Sequence, residues 1–279
     1  MKNNGMSETS NRNSEYALQG ISFFYIGLLI ILPVLAITVE AFRGGVSNLW
    51  QNIVQPQAYH ALILTFTIAV MMTIMNMITG TMTAWVLVRY HFPLKNLINA
   101  MIDLPFAIPT VVTGVMLVLL YGQQGFIGRF LEGHGIQIIF EKPGIMLALL
   151  YVSFPFVVRT VQPVLLEMEP DMEEAARTLG AAPSRIFIRI VLPTLIPAII
   201  TGAALSFARA MGEFGSIAIV AGNIPYKTQV ASVYIYGELE SNNPQGAMGL
   251  SVVLLLCSLF ILVFLNIIKN KNHEYKKLF

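Results

Sequence analysis

The sequence predicts an all-α, polytopic membrane protein with six transmembrane helices. Of its 279 residues, 56% are hydrophobic and 11% are charged, whereas soluble domains are about 45–50% apolar and about 25% charged. Six continuous apolar runs each reach the roughly 20 residues that a helix needs to cross a bilayer. Because these runs do not alternate apolar and polar residues as β-barrel strands do, we expect helices.

The apolar runs define the organisation of the chain. In order, they are residues 18–40, 61–88, 97–121, 144–163, 195–221 and 246–268. Residues 1–16 are rich in Asn and Ser without hydrophobic periodicity, which predicts a disordered cytoplasmic tail. The transmembrane domain then covers residues 17–268, followed by a basic cytoplasmic tail, residues 269–279. The first run lacks a small-residue cleavage pattern, so we expect it to remain as an anchor.

Basic residues predict the orientation of the spans. If the N-terminus lies in the cytoplasm, most Lys and Arg residues outside the spans fall on the cytoplasmic side, as the positive-inside rule requires. An even number of spans returns the C-terminus to the same side. We therefore predict that both termini are cytoplasmic.

The longest cytoplasmic loop, residues 164–194, is the most informative segment and contains EMEPDMEEAARTLGAAPSRIFIRIVLP. Pro170 suits the first position of a short helix, and the acidic residues after it favour the positive end of the helix dipole. Gly180 is typical of the residue just past a helix end, because glycine enters the left-handed conformation at little cost.

A second helical pattern follows in the same loop. Pro183 restarts the helix, and apolar residues recur at helical spacing after it. We expect this segment to lie along the inner membrane surface. Pro193 and Pro197 are then expected to turn the chain into the fifth span.

The loop also carries a spaced signature: a Glu-Ala-Ala triplet, a glycine four residues later, and an I-x-L-P segment. Its members are Glu174, Ala175, Ala176, Gly180, Ile190, Leu192 and Pro193. Without that spacing, the acidic run would be interpreted as a solvated helix face. With it, the chain resembles the permease subunits of bacterial ABC importers. The resemblance implies a type I ABC importer permease fold, in which the short helix is the coupling helix that docks into a separate ATP-binding subunit.

Further segments resemble permeases for tetrahedral oxyanions. LSFARAMGEFGSIAIVAGNIPYKTQ, from Leu205 to Gln229, is most similar to sulfate and thiosulfate permeases, with molybdate and tungstate permeases as the alternative. AWVLVRYHFP, IDLPFAIPTVVTG and FPFVVRTVQPVL extend the resemblance along most of the chain. Segments near Val157 and Ile224 resemble the T-type sulfate permease, while VEAFRGG is closer to the W-type. We expect a T-type subunit.

The resemblance also implies a set of partners. They are a second permease of the W-type, two copies of an ATP-binding subunit, and a periplasmic or lipid-anchored sulfate-binding protein, assembled in the bacterial inner membrane. ATP and Mg would be bound by the ATP-binding subunit, so this chain is expected to hold no cofactor. Membrane lipid surrounds the spans, and a net charge of +2 gives no indication of nucleic acid binding.

Two charged residues, Arg209 and Glu213, fall inside the predicted fifth span, where a charge is costly. Being four residues apart, they share a helix face and can pair. One interpretation is an ion pair that holds helices together. The other is a translocation pathway, in which Arg209 attracts an entering anion and Glu213 limits how tightly it is held.

Other function classes are less consistent with the sequence. A secondary carrier could relay protons through Asp103, Arg209 and Glu213, but the complete coupling signature argues against it. No phosphate-binding G-x-x-x-x-G-K-[ST] segment occurs, and the four histidines are scattered without a catalytic motif. The single cysteine, Cys257, excludes an intramolecular disulfide and a cysteine-cluster metal site. We therefore predict a transport subunit that is not itself an enzyme.

Overall fold

The computed structural model describes residues 18–169 and 171–276, with side chains described through residue 269. The predicted N-terminal tail, residues 1–16, lies outside the described residues. So do Pro170 and residues 277–279 of the predicted basic tail.

The described chain consists of successive helices joined by short connections. In chain order they are α1 (Leu18–Phe42), α2 (Gly45–Val54), α3 (Pro56–Arg89), α4 (Lys95–Ala107), α5 (Thr110–Tyr121), α6 (Phe126–Glu132), α7 (Lys142–Glu167), α8 (Asp171–Thr178), α9 (Pro183–Met211), α10 (Gly215–Ala221), α11 (Ala231–Glu240) and α12 (Pro244–Lys276). By length and hydropathy, α1, α3, α7, α9 and α12 can each cross a membrane, and α4 and α5 together form a bent sixth span. The predicted all-α fold is confirmed.

The third span, predicted as one apolar run over residues 97–121, is not a continuous helix. It is bent by 116° between α4 and α5, where Ile108 and Pro109 adopt extended backbone angles. Proline has no N–H and disfavours helical angles in the residue before it, so the helix stops at this point. Ile102 packs in the cluster at the α8 end of the bundle. Leu117 packs in the cluster at the opposite end, so the bent pair still connects both ends.

The fifth span also differs from its prediction, in two ways. The segment after Pro183 does not lie apart from the span, because α9 runs as one helix to Met211. A π-helical turn, Phe187–Val191, precedes Pro193, and a wider turn of this kind lets the helix accept a residue without an N–H. The helix then ends before the predicted residue 221: residues 212–214 leave the helical conformation, and α10 begins a new direction.

A buried polar contact joins the three central helices α3, α7 and α9. The side-chain amide of Asn76 donates to the hydroxyl of Ser153 at 2.8 Å and to that of Ser206 at 3.2 Å. All three side chains are fully buried. In a membrane, where helices gain little from the hydrophobic effect, such interhelical hydrogen bonds help to fix which faces meet.

Two glycines allow the same three helices to approach closely. A Cβ atom on Gly80 would lie 2.8 Å from Val157 Cβ, and one on Gly202 would lie 2.8 Å from Val157 Cα. Both distances are too short for carbon atoms in contact, so only glycine fits at these crossings. Small residues at helix crossings are the usual means of close packing in membranes.

Candidate functional site

The short helix α8 stands between the fourth and fifth spans, as the loop pattern predicts. Asp171, Glu173 and Glu174 occupy its first turn, where negative charge is favourable. At the other end, Gly180 has a φ of +79° and donates to the Arg177 carbonyl, while Ala181 donates to the Ala176 carbonyl. These two bonds form a Schellman motif, which ends the helix and turns the chain toward α9.

One side of α8 is apolar and exposed. Ala175 is exposed and Ala176 is half-buried, and they lie between Met172, which is 59% exposed, and Leu179, which is 88% exposed. The four residues recur at i, i+3, i+4 and i+7, so they form one stripe on the helix surface. Met172 and Leu179 were not among the predicted site residues, although their spacing in the sequence already indicated the stripe.

The adjacent residues Glu173 and Glu174 have opposite environments. Glu174 is exposed beside the apolar stripe, whereas Glu173 is 3% exposed and pairs with Arg89 at the end of α3, with a distance of 2.6 Å between Oε1 and Nη2. Sequence reasoning assigned Glu173 only a favourable charge at the helix start. Its partner could not be predicted, since the two residues are 84 positions apart.

The I-x-L-P part of the signature lies away from the exposed stripe. Ile190 belongs to the π-helical turn, and Leu192 and Pro193 begin the α-helical part of α9. Leu192 packs against the hydrophobic cluster at the α8 end of the bundle. The structure therefore divides the signature into an exposed helix and a segment that shapes the start of the fifth span.

Arg209 and Glu213 form an ion pair at the break after α9. The distance between Arg209 Nη2 and Glu213 Oε2 is 2.6 Å. The other carboxylate oxygen accepts hydrogen bonds from the backbone N–H and the hydroxyl of Ser216, at 2.9 and 2.8 Å. Glu213 is 1% exposed and Arg209 is 30% exposed. Both oxygens of the buried carboxylate therefore have partners, while the guanidinium beside it remains accessible.

Arg209 lies on the accessible face of α9. The other accessible residues on that face, at helical spacing, are Thr201, Ala204, Leu205 and Ala208. Apart from Leu205, these side chains are small, so another helix could approach closely here. In the sequence, Ala204, Ala208, Gly212 and Ser216 form a row of small residues at four-residue spacing. On this helix the row stops at Ala208, because the helix ends at Met211.

A second charged cluster, centred on Arg159, holds α4, the first part of the bent span, against α7. Arg159 contacts both carboxylate oxygens of Asp103 at 2.7 Å. It also donates to the side chain and carbonyl of Asn99 and to Gln162. Every N–H group of the guanidinium thus has a partner. Asp103 forms its ion pair with Arg159, and it is not paired with Arg209 or Glu213.

No metal centre is present among the described residues, since no group of three or more His, Cys, Asp or Glu side chains lies close enough to hold an ion. Cys257 lies half-buried in α12 and is a free thiol.

The part of the chain that contains α8 and the fifth span matches a known protein family. The family of binding-protein-dependent transport system inner membrane components matches residues 76–272. The chain belongs to this family. The match includes α8 and the whole of the fourth and fifth spans, so membership rests on the part of the chain that carries the predicted signature.

Sequence relatives cover almost the whole chain. The probable sulfate transport system permease protein CysT of Chlorokybus atmophyticus is 45% identical, over 92% of this chain and 90% of that protein. The CysT proteins of Synechocystis and of Escherichia coli K12 are 42% and 40% identical, over 91% and 90% of this chain and 89% and 91% of those proteins. The common name of these relatives confirms the resemblance to the T-type sulfate permeases.

Solved structures confirm the predicted type I ABC importer permease fold. A chain of a bacterial ABC transporter that imports the acidic polysaccharide alginate superposes with a TM-score of 0.80, at 17% identity, over 95% of this chain and 98% of that chain. The MetNI methionine ABC transporter, in an inward-facing form, superposes with a TM-score of 0.59 at 17% identity, over 77% of this chain and 96% of that chain. At this identity, the likeness concerns the fold alone.

Proposed function

We propose that this chain is the permease subunit of an ATP-driven importer that moves sulfate and thiosulfate across the inner membrane. The observation that carries the proposal is the helix α8. It presents an apolar stripe on the surface of the chain, and it connects the fourth and fifth spans directly. The names of the CysT relatives supply the substrate class.

The apolar stripe of α8 suits docking into a groove on a separate ATP-binding subunit. Exposed methionine and leucine side chains would be desolvated there, and the two alanines would permit close backbone approach. Glu174 lies at the edge of the stripe, where it can meet a basic side chain of the partner. ATP and Mg would be bound by that partner, and a change in its shape would move α8 together with the two spans that it connects.

The accessible face of α9 suits a translocation pathway shared with a second permease, which we expect to be of the W-type. Arg209 offers a positive charge to an entering dianion, and Glu213, already held by Ser216, keeps the net charge of the site low. A conduit needs this balance, because an anion that is bound too tightly would not leave.

The remaining components follow from the same proposal. A periplasmic or lipid-anchored binding protein would deliver the anion at the end of the bundle opposite α8, and two copies of the ATP-binding subunit would act at the α8 end. With α8 in the cytoplasm, an even number of spans leaves both termini on the cytoplasmic side.

The test is uptake of labelled sulfate by cells that lack their own sulfate importers, with the suspected partner subunits present and with or without this chain. Uptake that depends on this chain, and that thiosulfate but not molybdate competes, is the expected result. Uptake of molybdate without sulfate would assign the chain to the alternative oxyanion class. No ATP-dependent uptake of either anion would overturn the proposal.

A further inference from the structure

The ion pair between Arg89 and Glu173 joins two elements that are far apart in the sequence. Arg89 is the last residue of α3, and Glu173 lies in the first turn of α8. Short connections link α8 to α7 and α9, but α3 is 84 residues away along the chain. Any movement shared by α8 and α3 must therefore pass through non-covalent contacts.

Burial makes this pair stronger than the other charge contact of Glu173. Arg89 approaches within 2.6 Å and is 20% exposed. Arg177 approaches the second carboxylate oxygen only to 3.8 Å and is 63% exposed. Attraction between charges increases as water is excluded, and removing one partner of a buried pair leaves the other uncompensated.

Aromatic contacts extend the link from α3 to the start of α9. The guanidinium carbon of Arg89 lies 5.6 Å from the centre of the Trp85 ring. Trp85 in turn meets Phe187 edge to face, with 5.2 Å between ring centres. Phe187 begins the π-helical turn of α9, so α8, α3 and α9 meet around one arginine.

A groove opens to the surface beside the pair. A surface groove of about 270 Å³ lies between these helices, bounded by Trp85, Tyr90, Ile186 and Phe187 together with Glu173 itself. Side chains that do not fill a space lose dispersion contacts across it. The ion pair therefore lies at the edge of a groove that is open to the surface.

We infer that the Arg89–Glu173 pair is a positioning contact that makes the second span, α3, move together with α8. The inference rests on the proposed function, in which a partner subunit moves α8. The short connections on either side of α8 carry that movement to the fourth and fifth spans. The ion pair carries it to the second span as well. Without the pair, α8 would still dock, but its movement would be transmitted to the membrane helices less completely.

The first experiment measures sulfate uptake per ATP hydrolysed by the full complex in proteoliposomes. Complexes with Glu173→Gln or with Arg89→Gln should each still purify with the ATP-binding subunit. Their sulfate uptake per ATP hydrolysed should fall at least about fivefold, which is the lower range of allosteric coupling. Glu40→Gln, which removes the surface pair between Glu40 of α1 and Arg43 just after that helix, is the matched control and should leave the ratio unchanged.

The outcomes separate this inference from the function on which it rests. An unchanged ratio in assembled Glu173→Gln complexes overturns the inference and leaves the proposed function intact. Failure of the unaltered chain to purify with an ATP-binding subunit contradicts the proposed function instead.

A distance measurement tests the same contact without removing it. Spin labels would be placed at His91→Cys and Thr178→Cys in a Cys257→Ser background, in a complex that keeps Arg89 and Glu173. The distance between them should be the same with and without ATP, and should change on ATP binding only when Glu173→Gln is added. A change on ATP binding in the chain that keeps the pair would overturn the inference.

Discussion

At the scale of single residues, the structure separates side chains that look equivalent in the sequence. Glu173 and Glu174 are neighbours of the same type, yet one is buried against Arg89 and the other faces outward. Successive residues of an α-helix point about 100° apart, so identical neighbours meet different surroundings. Arg159 illustrates the same point, because positive-inside counting gave it only a topological role, whereas all its N–H groups are engaged.

Gly180 is the residue whose backbone most directly shapes α8. Its φ of +79° disfavours any side chain, although a methyl group at this position would meet open space. Gly180→Ala should therefore cost about 1 kcal/mol locally and misdirect the turn, so that sulfate uptake falls while the protein still inserts. The measurement is uptake normalised to the amount of chain in the membrane.

Gly135 offers the matched control for that substitution. It also has a positive φ, +76°, with open space around it, but it lies in the connection between α6 and α7. Gly135→Ala should carry a similar conformational cost and leave uptake near the unaltered level. Equal losses of uptake in the two variants would contradict the assignment of α8 as the docking element.

At the scale of elements, the helices are longer or more broken than hydropathy indicates. Hydropathy detects the part of a helix in hydrocarbon, so α3 extends beyond the predicted residues 61–88 at both ends. The break at Pro109 is invisible to hydropathy, because apolar residues continue through it. The break at residues 212–214 falls in a segment that hydropathy assigns to a single span, although it contains the charged residue Glu213. Conversely, Pro193 does not interrupt its helix, since a π-helical turn precedes it.

The crossing of α7 and α9 depends on Gly202. A Cβ atom at this position would lie 2.3 Å from the Thr160 hydroxyl and 2.8 Å from the Val157 backbone, so Gly202→Ala should separate the helices and cost about 1–3 kcal/mol. The expected result is a lower thermal unfolding temperature in detergent micelles.

Gly237, in the helix α11, is the control for that crossing, because nothing lies within 4 Å of its Cβ position. Gly237→Ala should raise stability by up to about 1 kcal/mol, as alanine favours a helix over glycine. Unfolding temperatures that shift in the same direction for Gly202→Ala and Gly237→Ala would refute this account of the α7–α9 contact.

At the scale of the whole molecule, the helices form a bundle with two different ends. The α8 end carries the apolar stripe and the Arg89–Glu173 pair, whereas the opposite end carries the connections around α6, α10 and α11. Outward-facing apolar side chains cover α1 along its length, which suits a helix whose solvent is lipid.

The orientation of this bundle is testable by cysteine labelling. In a Cys257→Ser background, a maleimide that does not cross membranes should label His134→Cys on intact cells, since this residue is exposed at the end opposite α8. It should label Thr178→Cys only after the membrane is permeabilised. The reverse pattern would show that α8 faces outward, which is incompatible with docking to a cytoplasmic ATP-binding subunit.

Sequence by itself determined the all-α membrane class, the approximate positions of the spans and the short helix that Gly180 ends, because hydrocarbon and glycine impose strong local rules. It also indicated that Arg209 and Glu213 can pair, although Glu213 lies past the end of the helix that carries Arg209. Only the tertiary structure decided the bend at Pro109, the early end of α9 and the pairing of Glu173 with Arg89. Those features depend on contacts between residues that are distant in the chain, and local patterns carry no information about which helix a side chain will meet.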